Sequence, residues 1–322
     1  MRLGTVFKVN KAMKAQKNGD TQEALRLFDE CFRDGVNDAR NVLSYAVLLM
    51  RDGQFQKAKD LLVKHQKAPG MTPDQKVTLI VDYAACCFRL GEIDKGIGKL
   101  EELYRKNPNG LIYQTLGYLY VEQFDPARKE EFLRKAAEKA EKEAAEKAER
   151  EAERAARAAQ AAQAGEAGDA APAGEGEAKS EETGLTGGEG TASGAETAAR
   201  APEQGPTPEE QWEAGREKAL AFNQEAVDYD EEDPIFLDNL GQTWYRVMEN
   251  PAEAKPWFEK AIAQKPEQID TLFFLSRYDL AEGKKAEALK KLEKAAEGRF
   301  SPLNCVSRDR IEAEICRLKE EA

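Results

Sequence analysis

Residues 234–267 read PIFLDNLGQTWYRVMENPAEAKPWFEKAIAQKPE. Large apolar side chains stand at Leu237, Leu240 and Trp244, and again at Phe258 after a break at Glu249-Asn250-Pro251. Small residues, Gly241, Ala254 and Ala261, lie between them. Steps of three and four gather each set on one face of a helix. The stretch is therefore a helix, a turn and a second helix. The small positions let the two helices approach, and the bulky ones fill the space beside them.

The same unit recurs on both sides. Turns with the same character stand at 18–20 (NGD), 52–54 (DGQ), 90–92 (LGE) and 282–284 (EGK). Gly suits the left-handed position that ends a helix. Gly19 and Gly53 are 34 residues apart, and Gly53 and Gly91 are 38 apart, the loop KAPGMTPD holding the excess. No alternating Val/Ile/Thr run reads as a strand. One such unit cannot bury its apolar face alone, so repetition at this period predicts a stacked solenoid.

On these residues the chain resembles the tetratricopeptide repeat (TPR) family. The motif asks for a bulky residue, a Leu, a small residue and an aromatic on the first helix. The second helix wants a small, a bulky and an Ala position, then Pro. The fifth unit fits best, with Leu237, Leu240, Gly241, Trp244, Ala254, Phe258, Ala261 and Pro266, and carries one extra residue in its turn. The sixth supplies Leu272, Leu275, Ser276, Ala288, Leu292 and Ala295, with Asp279 in the aromatic place. The third supplies Ile80, Tyr83, Ala84, Leu100 and Pro108, and the second Val42, Tyr45, Ala46, Leu49, Ala58 and Leu62. The first keeps Ala12, Ala24, Phe28 and Cys31, but Lys8 and Lys11 stand where bulky apolar groups belong. The resemblance implies an all-α fold: a right-handed superhelical solenoid of antiparallel helix pairs, closed by a C-terminal capping helix.

The fourth unit is interrupted. Tyr113, Leu116, Gly117 and Tyr120 make a good first helix, but Lys129 stands where its second helix wants a small residue. Ala219, Asn223 and Ala226 supply that register about 90 residues later, and the Gly117 to Gly241 spacing carries the same excess. A turn lengthened from about 4 to about 94 residues costs only roughly 3 kcal/mol in closure entropy. The competing assignment uses Phe132 and Leu133 for the second helix.

Residues 126–208 contain 25 Ala, and their only other large apolar side chains are Phe132, Leu133 and Leu185. Residues 126–163 read as a charged, Ala-rich solvated helix with Glu→Lys/Arg pairs four apart, such as Glu131–Lys135 and Glu146–Arg150. Residues 164–208 read as disordered by composition. The expected organisation is repeats one to three and the first helix of repeat four over 5–123, the insert, the rest of the array over 209–302, and the cap over 303–321. Val306, Ile311, Ile315 and Leu318 share one face of that cap.

The chain has 322 residues, a net charge of −12 and one His. The acidic balance argues against general DNA binding, and no apolar run is long enough for a membrane helix. The N-terminal stretch has no apolar signal core, so a cytoplasmic location is expected. Five Cys without a C-x-x-C pair read as reduced packing residues. His65 stands at a packing position of the second unit. GIGKL at 96–100 lies inside a helix and lacks the first Gly of a phosphate loop. No catalytic, metal or cofactor motif is present, so the expectation is a protein that is not an enzyme and carries no cofactor.

The resemblance implies a concave groove lined by the first helix of each unit. From repeat two it selects Leu43, Val47, Met50 and Arg51, and from repeat three Val81, Ala85, Phe88 and Arg89. Repeat four contributes Gln114, Tyr118 and Val121. The last two repeats contribute Asp238, Gln242, Tyr245, Arg246, Phe273 and Arg277. Aromatic, Met and Arg side chains are those enriched in binding surfaces. The four arginines point to a peptide bearing carboxylates. The chaperone-binding carboxylate clamp of some family members is absent, because its places hold Val9, Met13, Ser44, Thr78 and Asp82. The expected partner is thus another protein, offering an extended or helical segment, and the arginines suit one that is acidic. The alternative is an RNA- or ribosome-associated protein contacting its partner through the 127–163 helix. A third alternative is self-association of the array, which the sequence allows but does not indicate.

Overall fold

The computed structural model describes residues 3–166 and 205–320. Helices α1 (Leu3–Lys17) and α2 (Thr21–Arg33), α3 (Ala39–Arg51) and α4 (Phe55–Lys64), and α5 (Pro73–Arg89) and α6 (Ile93–Tyr104) follow as three hairpins. Next come α7 (Gly110–Gln123), a 3-10 turn Pro126–Arg128, α8 (Lys129–Glu166) and α9 (Pro208–Tyr229). α10 (Pro234–Gln242) runs into a π-helical turn Thr243–Val247 and is followed by α11 (Pro251–Gln264). α12 (Ile269–Ala281), α13 (Lys285–Ala296) and α14 (Arg308–Glu320) end the chain's helical order. No strand occurs among the described residues.

Two compact units are present. One joins Met1–Lys129 to Trp212–Ala322, and the other is Glu130–Gln211. In the first, each hairpin packs on the next, so the architecture is an all-α solenoid of stacked helix pairs.

Local chemistry sets the helix ends. Asp20, Asp38, Asn109 and Asn250 each accept a backbone N–H of the turn that follows. Thr72 and Gln75 form a reciprocal capping box. Between paired helices Gly19, Gly53, Gly91 and Gly283 hold φ between +75° and +81°, where a Cβ would be strained.

The small residues work as contact points between helices. A Cβ on Gly96 would lie 3.1 Å from the Ala84 Cα, so α5 and α6 meet almost backbone to backbone. A Cβ on Gly241 would lie 2.8 Å from the Phe258 ring. The partner of α7 is α9. Asn223 of α9 donates to the Gly117 carbonyl at 3.3 Å, and the Phe222 ring sits among Tyr104, Tyr113 and Tyr120.

The extra residue of the fifth unit has a definite place. Met248 N–H bonds to the Thr243 carbonyl at 2.9 Å, five residues back, so the helix widens for one turn. Glu249 then takes φ +54°, and the Val247 carbonyl receives the Arg216 guanidinium at 2.9 Å.

In the first unit, the ammonium groups of Lys8 and Lys11 reach acids of α2 and of its C-cap. Lys8 lies 2.8 Å from Asp34 and Lys11 3.3 Å from Glu23. Val9 and Ala12 take over the buried role on α1.

In α8 the side chains from Glu138 to Ala158 are exposed. Lys135 pairs with Glu131 at 2.7 Å and Arg150 approaches Glu146 at 3.9 Å. Arg134 turns towards Glu138, at 2.6 Å. The helix begins at Lys129, three residues after the expected start, because Pro126–Arg128 forms the 3-10 turn capped by Asp125. The disorder expected for 164–208 falls mostly on residues 167–204, which lie outside the described residues.

Cys31, Cys86 and Cys87 are buried and burial pushes each thiol upward, Cys86 to about 12. Cys316 differs from the packing role expected of it: it lies on the charged face of α14 and is exposed. His65 packs edge-on to the Phe32 ring at 5.5 Å, and burial lowers its pKa.

Candidate binding groove

The faces of α3, α5, α7, α10 and α12 carry the residues selected from the sequence, and their surroundings change along the array. On α3 and α5, Leu43, Val47 and Phe88 are partly exposed and Arg51 and Arg89 are exposed. The Phe88 ring meets Tyr118 edge-on at 5.6 Å and lies 5.8 Å from the Arg128 guanidinium. Arg89 stacks on Phe55 at 5.5 Å. Met50, Val81 and Ala85 are buried.

Further along, the lining residues are covered. Tyr118 is 4% exposed, Asp238 2% and Phe273 5%, while Val121 and Gln242 are fully buried. Gln114 and Tyr245 are half-buried, and Gln114 donates to Asp233 at 2.8 Å. Tyr245 packs on Phe274 at 5.0 Å.

The cover is the chain itself. Between α13 and α14, residues 298–306 run without a helix across this end of the groove. The approach requires glycine at its start: a Cβ on Gly298 would lie 2.6 Å from Ile269 Cγ1. Asp270 of α12 anchors the segment, its Oδ2 accepting from Asn304 Nδ2 at 3.1 Å and from the Cys305 N–H at 3.2 Å. Leu303 packs against the apolar cluster of the first hairpins. Arg308 clips the segment by donating to the Gly298 carbonyl at 2.8 Å. The expected cap thus has two parts: this strap, and α14 from Arg308, which seals α12 and α13 with Ile311 and Leu318.

The charges are arranged differently from a basic groove. Arg246 is held between Glu122 at 2.7 Å and Asp125 at 2.8 Å, and also donates to Gln242 at 3.0 Å. Burial works against its charge, yet these acids hold its pKa above the ordinary value. Arg277 pairs with Glu314 at 2.8 Å and lies over the Phe273 ring at 4.4 Å. Arg51 and Arg89 remain at the surface; partial burial and Arg299 of the strap lower the Arg51 pKa.

The floor beneath the strap is acidic. Thr271 donates to Asp238 at 2.5 Å and Gln242 donates to it at 2.7 Å. Burial and the neighbouring Asp270 push Asp238 up to about 7. Asp270 is raised as well, by burial. Asp82 on α5, which does not line this chamber, is pushed up to about 7 by burial alone. A chamber of about 350 Å³ remains between strap and floor, lined by Tyr118, Gln114, Asp238, Asn239, Asp270 and Asn304 among others.

Asp270, Glu122, Asp125 and the strap were missed by sequence reasoning. The strap had one signal: RFSPLNCVS over 299–307 is longer than the other turns and carries a Pro. Nothing in the repeat pattern says that it folds inward. Among the described residues, no group of three or more His, Cys, Asp or Glu side chains is placed to hold a metal ion. No described helix is long and apolar enough to cross a membrane.

No protein-family model matches the sequence, and no curated protein matches it at the sequence level. Solved structures do match in fold. The chain is similar to TTC0263, a thermophilic TPR protein of Thermus thermophilus, with 14% identity, TM-score 0.50, and coverage of 88% of this chain and 99% of that one. It is also similar to the human IFIT1 dimer with m7Gppp-AAAA, with 13% identity and TM-score 0.54. That match covers 98% of this chain and 55% of the IFIT1 chain. At these identities the likeness is one of fold.

Proposed function

From the TPR-like fold of this chain we propose a non-catalytic protein-interaction scaffold that takes an extended or helical segment of another protein along its first-helix face. The observation that carries this reading is the open half of the groove on α3 and α5. Leu43, Val47 and Phe88 offer partly exposed apolar surface there, flanked by the exposed Arg51 and Arg89. A surface that combines an aromatic anchor with Arg donors suits capture of a segment bearing an acidic residue. The covered half is closed by the strap, so a guest seats first against α3 and α5.

Affinity capture from the source lysate tests the reading with three baits: the intact chain, Phe88→Ala/Arg89→Glu, and a chain lacking residues 127–208. Prey held by the intact chain and by the deletion, but lost from the groove variant at unchanged helicity, supports it. Prey that follows the insert instead transfers the function to α8. The RNA-associated alternative is then the one to examine, by the salt dependence of binding. IFIT1 with m7Gppp-AAAA is a neighbour in fold, but the acidic floor described above disfavours a polyanion in this groove.

A further inference from the structure

We infer that the chamber beneath the strap is a binding site for a cationic group, a guanidinium or an ammonium, presented by the guest. The inference rests on the groove reading and assigns the chemistry of one position of the bound segment.

Two independent observations meet there. The first is charge. Asp238 and Asp270 line the chamber at 2% and 5% exposure. Glu122 and Asp125 do not line the chamber, and one cation, Arg246, serves both. At the rim Glu267 stands with Lys265, and Arg299 lies on the strap. The neighbouring Cys305 thiol is held neutral, because burial and Asp270 raise its pKa. The two carboxyls that line the chamber, Asp238 and Asp270, are therefore held by Thr271, Gln242, Asn304 and the Cys305 N–H, and by no basic side chain.

The second is unmet hydrogen bonding. The Tyr118 hydroxyl and Asp270 Oδ1 are buried and have no hydrogen-bond partner in the protein. Both residues line the chamber. Buried polar atoms are nearly always paired, and one left unpaired calls for a reason. Asp270 Oδ2 is spent on the strap, through Asn304 and Cys305, so Oδ1 is the oxygen left for a guest. A guanidinium offers five N–H donors and no acceptor, and an ammonium three. Either can donate to Asp270 Oδ1 and to the Tyr118 oxygen together. A carboxylate or phosphate would stand against the Asp238 and Asp270 carboxyls, with the Tyr118 hydroxyl and, at the rim, Lys265 and Arg299 as its donors.

The volume agrees. About 350 Å³ is at the small end of ligand pockets, room for one side chain rather than a folded element. Arg51 lies close enough to Arg299 at the chamber to feel its charge, and this neighbourhood orients the guest. Its acidic residue faces Arg51 and Arg89, and its basic residue enters beneath the strap.

The test uses the full chain labelled with nitrogen-15 and three probes: N-acetyl-arginine amide, agmatine and N-acetyl-citrulline amide. Citrulline keeps the shape of arginine and lacks the charge. The arginine probe is expected to shift the Thr271 and Cys305 amides saturably, and citrulline to leave them in place. Asp270→Asn and Tyr118→Phe, both checked for unchanged helicity, should weaken the arginine probe at least about tenfold and about threefold respectively. A cation favours the ionised carboxylates, so binding tightens as pH rises from 6 to 8. Agmatine lacks the peptide groups. If it binds more tightly than the arginine amide, the guest is a free small amine; the reverse order makes it a side chain of a protein segment.

Equal binding of citrulline, or unchanged affinity in both variants, overturns the cation site. So does an arginine probe that leaves the spectrum unchanged. If Phe88→Ala/Arg89→Glu still abolishes capture in that case, the groove reading stands without the cation site. If the probe binds and capture ignores the groove variant, the groove reading fails by itself.

Discussion

Gly117 and Asn223, 106 positions apart in the chain, meet: the Asn223 amide donates to the Gly117 carbonyl at 3.3 Å, and a Cβ on Gly117 would lie 2.3 Å from Asn223 Oδ1. Asn223 also donates to Thr243 Oγ1 at 3.0 Å, so one fully buried amide joins α7, α9 and the π-helical turn. Gly117→Ala is expected to destabilise the fold by about 1–3 kcal/mol through overpacking. In Gly117→Ala/Asn223→Ala the obstructing oxygen is gone, so the double variant should lose less than the sum of the single losses. Urea unfolding of the four proteins measures the coupling, and strict additivity would contradict the contact.

Arg246→Met should be among the costliest single changes. It leaves Glu122 and Asp125 facing each other without their guanidinium, in a place where Glu122 is 6% exposed. Breaking a buried pair by removing one partner costs about 3–5 kcal/mol. Lys8→Met is the control: its pair with Asp34 lies in solvent and its loss should not be measurable. Chemical denaturation at moderate salt separates the two.

Asp82 contributes to the pH dependence of stability, beside Asp238 and Asp270. Its folded pKa is raised to about 7 from 3.8, so between those values the folded chain holds a proton that the unfolded chain releases. Stability from this group is therefore greatest below pH 4 and falls as pH rises towards 7, by at most roughly 1.4 kcal/mol per pH unit. Asp82→Asn removes that slope. The variant should gain on the wild type between pH 5 and pH 8, and urea midpoints at those two values check it. A constant difference would mean that Asp82 titrates normally.

Gly298→Val should detach the strap. The added carbons collide with Ile269, whose Cγ1 and Cδ1 lie 2.6 and 2.7 Å from the Cβ position. Amide exchange at Cys305 is expected to quicken at least about tenfold while α3 to α6 keep their protection. Exposure of Tyr118 would rise with it. Hydrogen exchange read residue by residue tests this, and retained protection at Cys305 would show that the segment is held by other contacts.

Much of the fold could be read from residue spacing. Gly241, Ala254, Phe258 and Ala261 mark helices and their contact faces because a helix repeats its direction every 3.6 residues and a packed pair needs small residues where it touches. The four turn glycines followed from the left-handed backbone that ends each first helix. The extra residue near Glu249 was visible, but its absorption as a wide turn was not. The choice depends on Arg216, 31 residues away, satisfying the Val247 carbonyl.

The proposed groove is a list of positions in the sequence and not a charge pattern. Repeat position says which face a side chain occupies, and Phe88, Tyr118 and Asp238 do share the first-helix face. It says nothing of what covers that face. Arg246 read as a free donor, and in the structure it belongs to Glu122 and Asp125. Those acids lie more than a hundred residues earlier, brought near by the pairing of α7 with the fifth hairpin.

The boundary between the two kinds of information is the range of the interaction. Helix, turn and repeat are set by neighbours within about one 34-residue unit, so composition and period suffice to specify them. The strap over the groove, the acidic floor and the two buried oxygens beneath it arise from contacts between units. Such contacts depend on how the whole stack brings Asp270, Tyr118 and Asn304 to one place, and no local pattern encodes that.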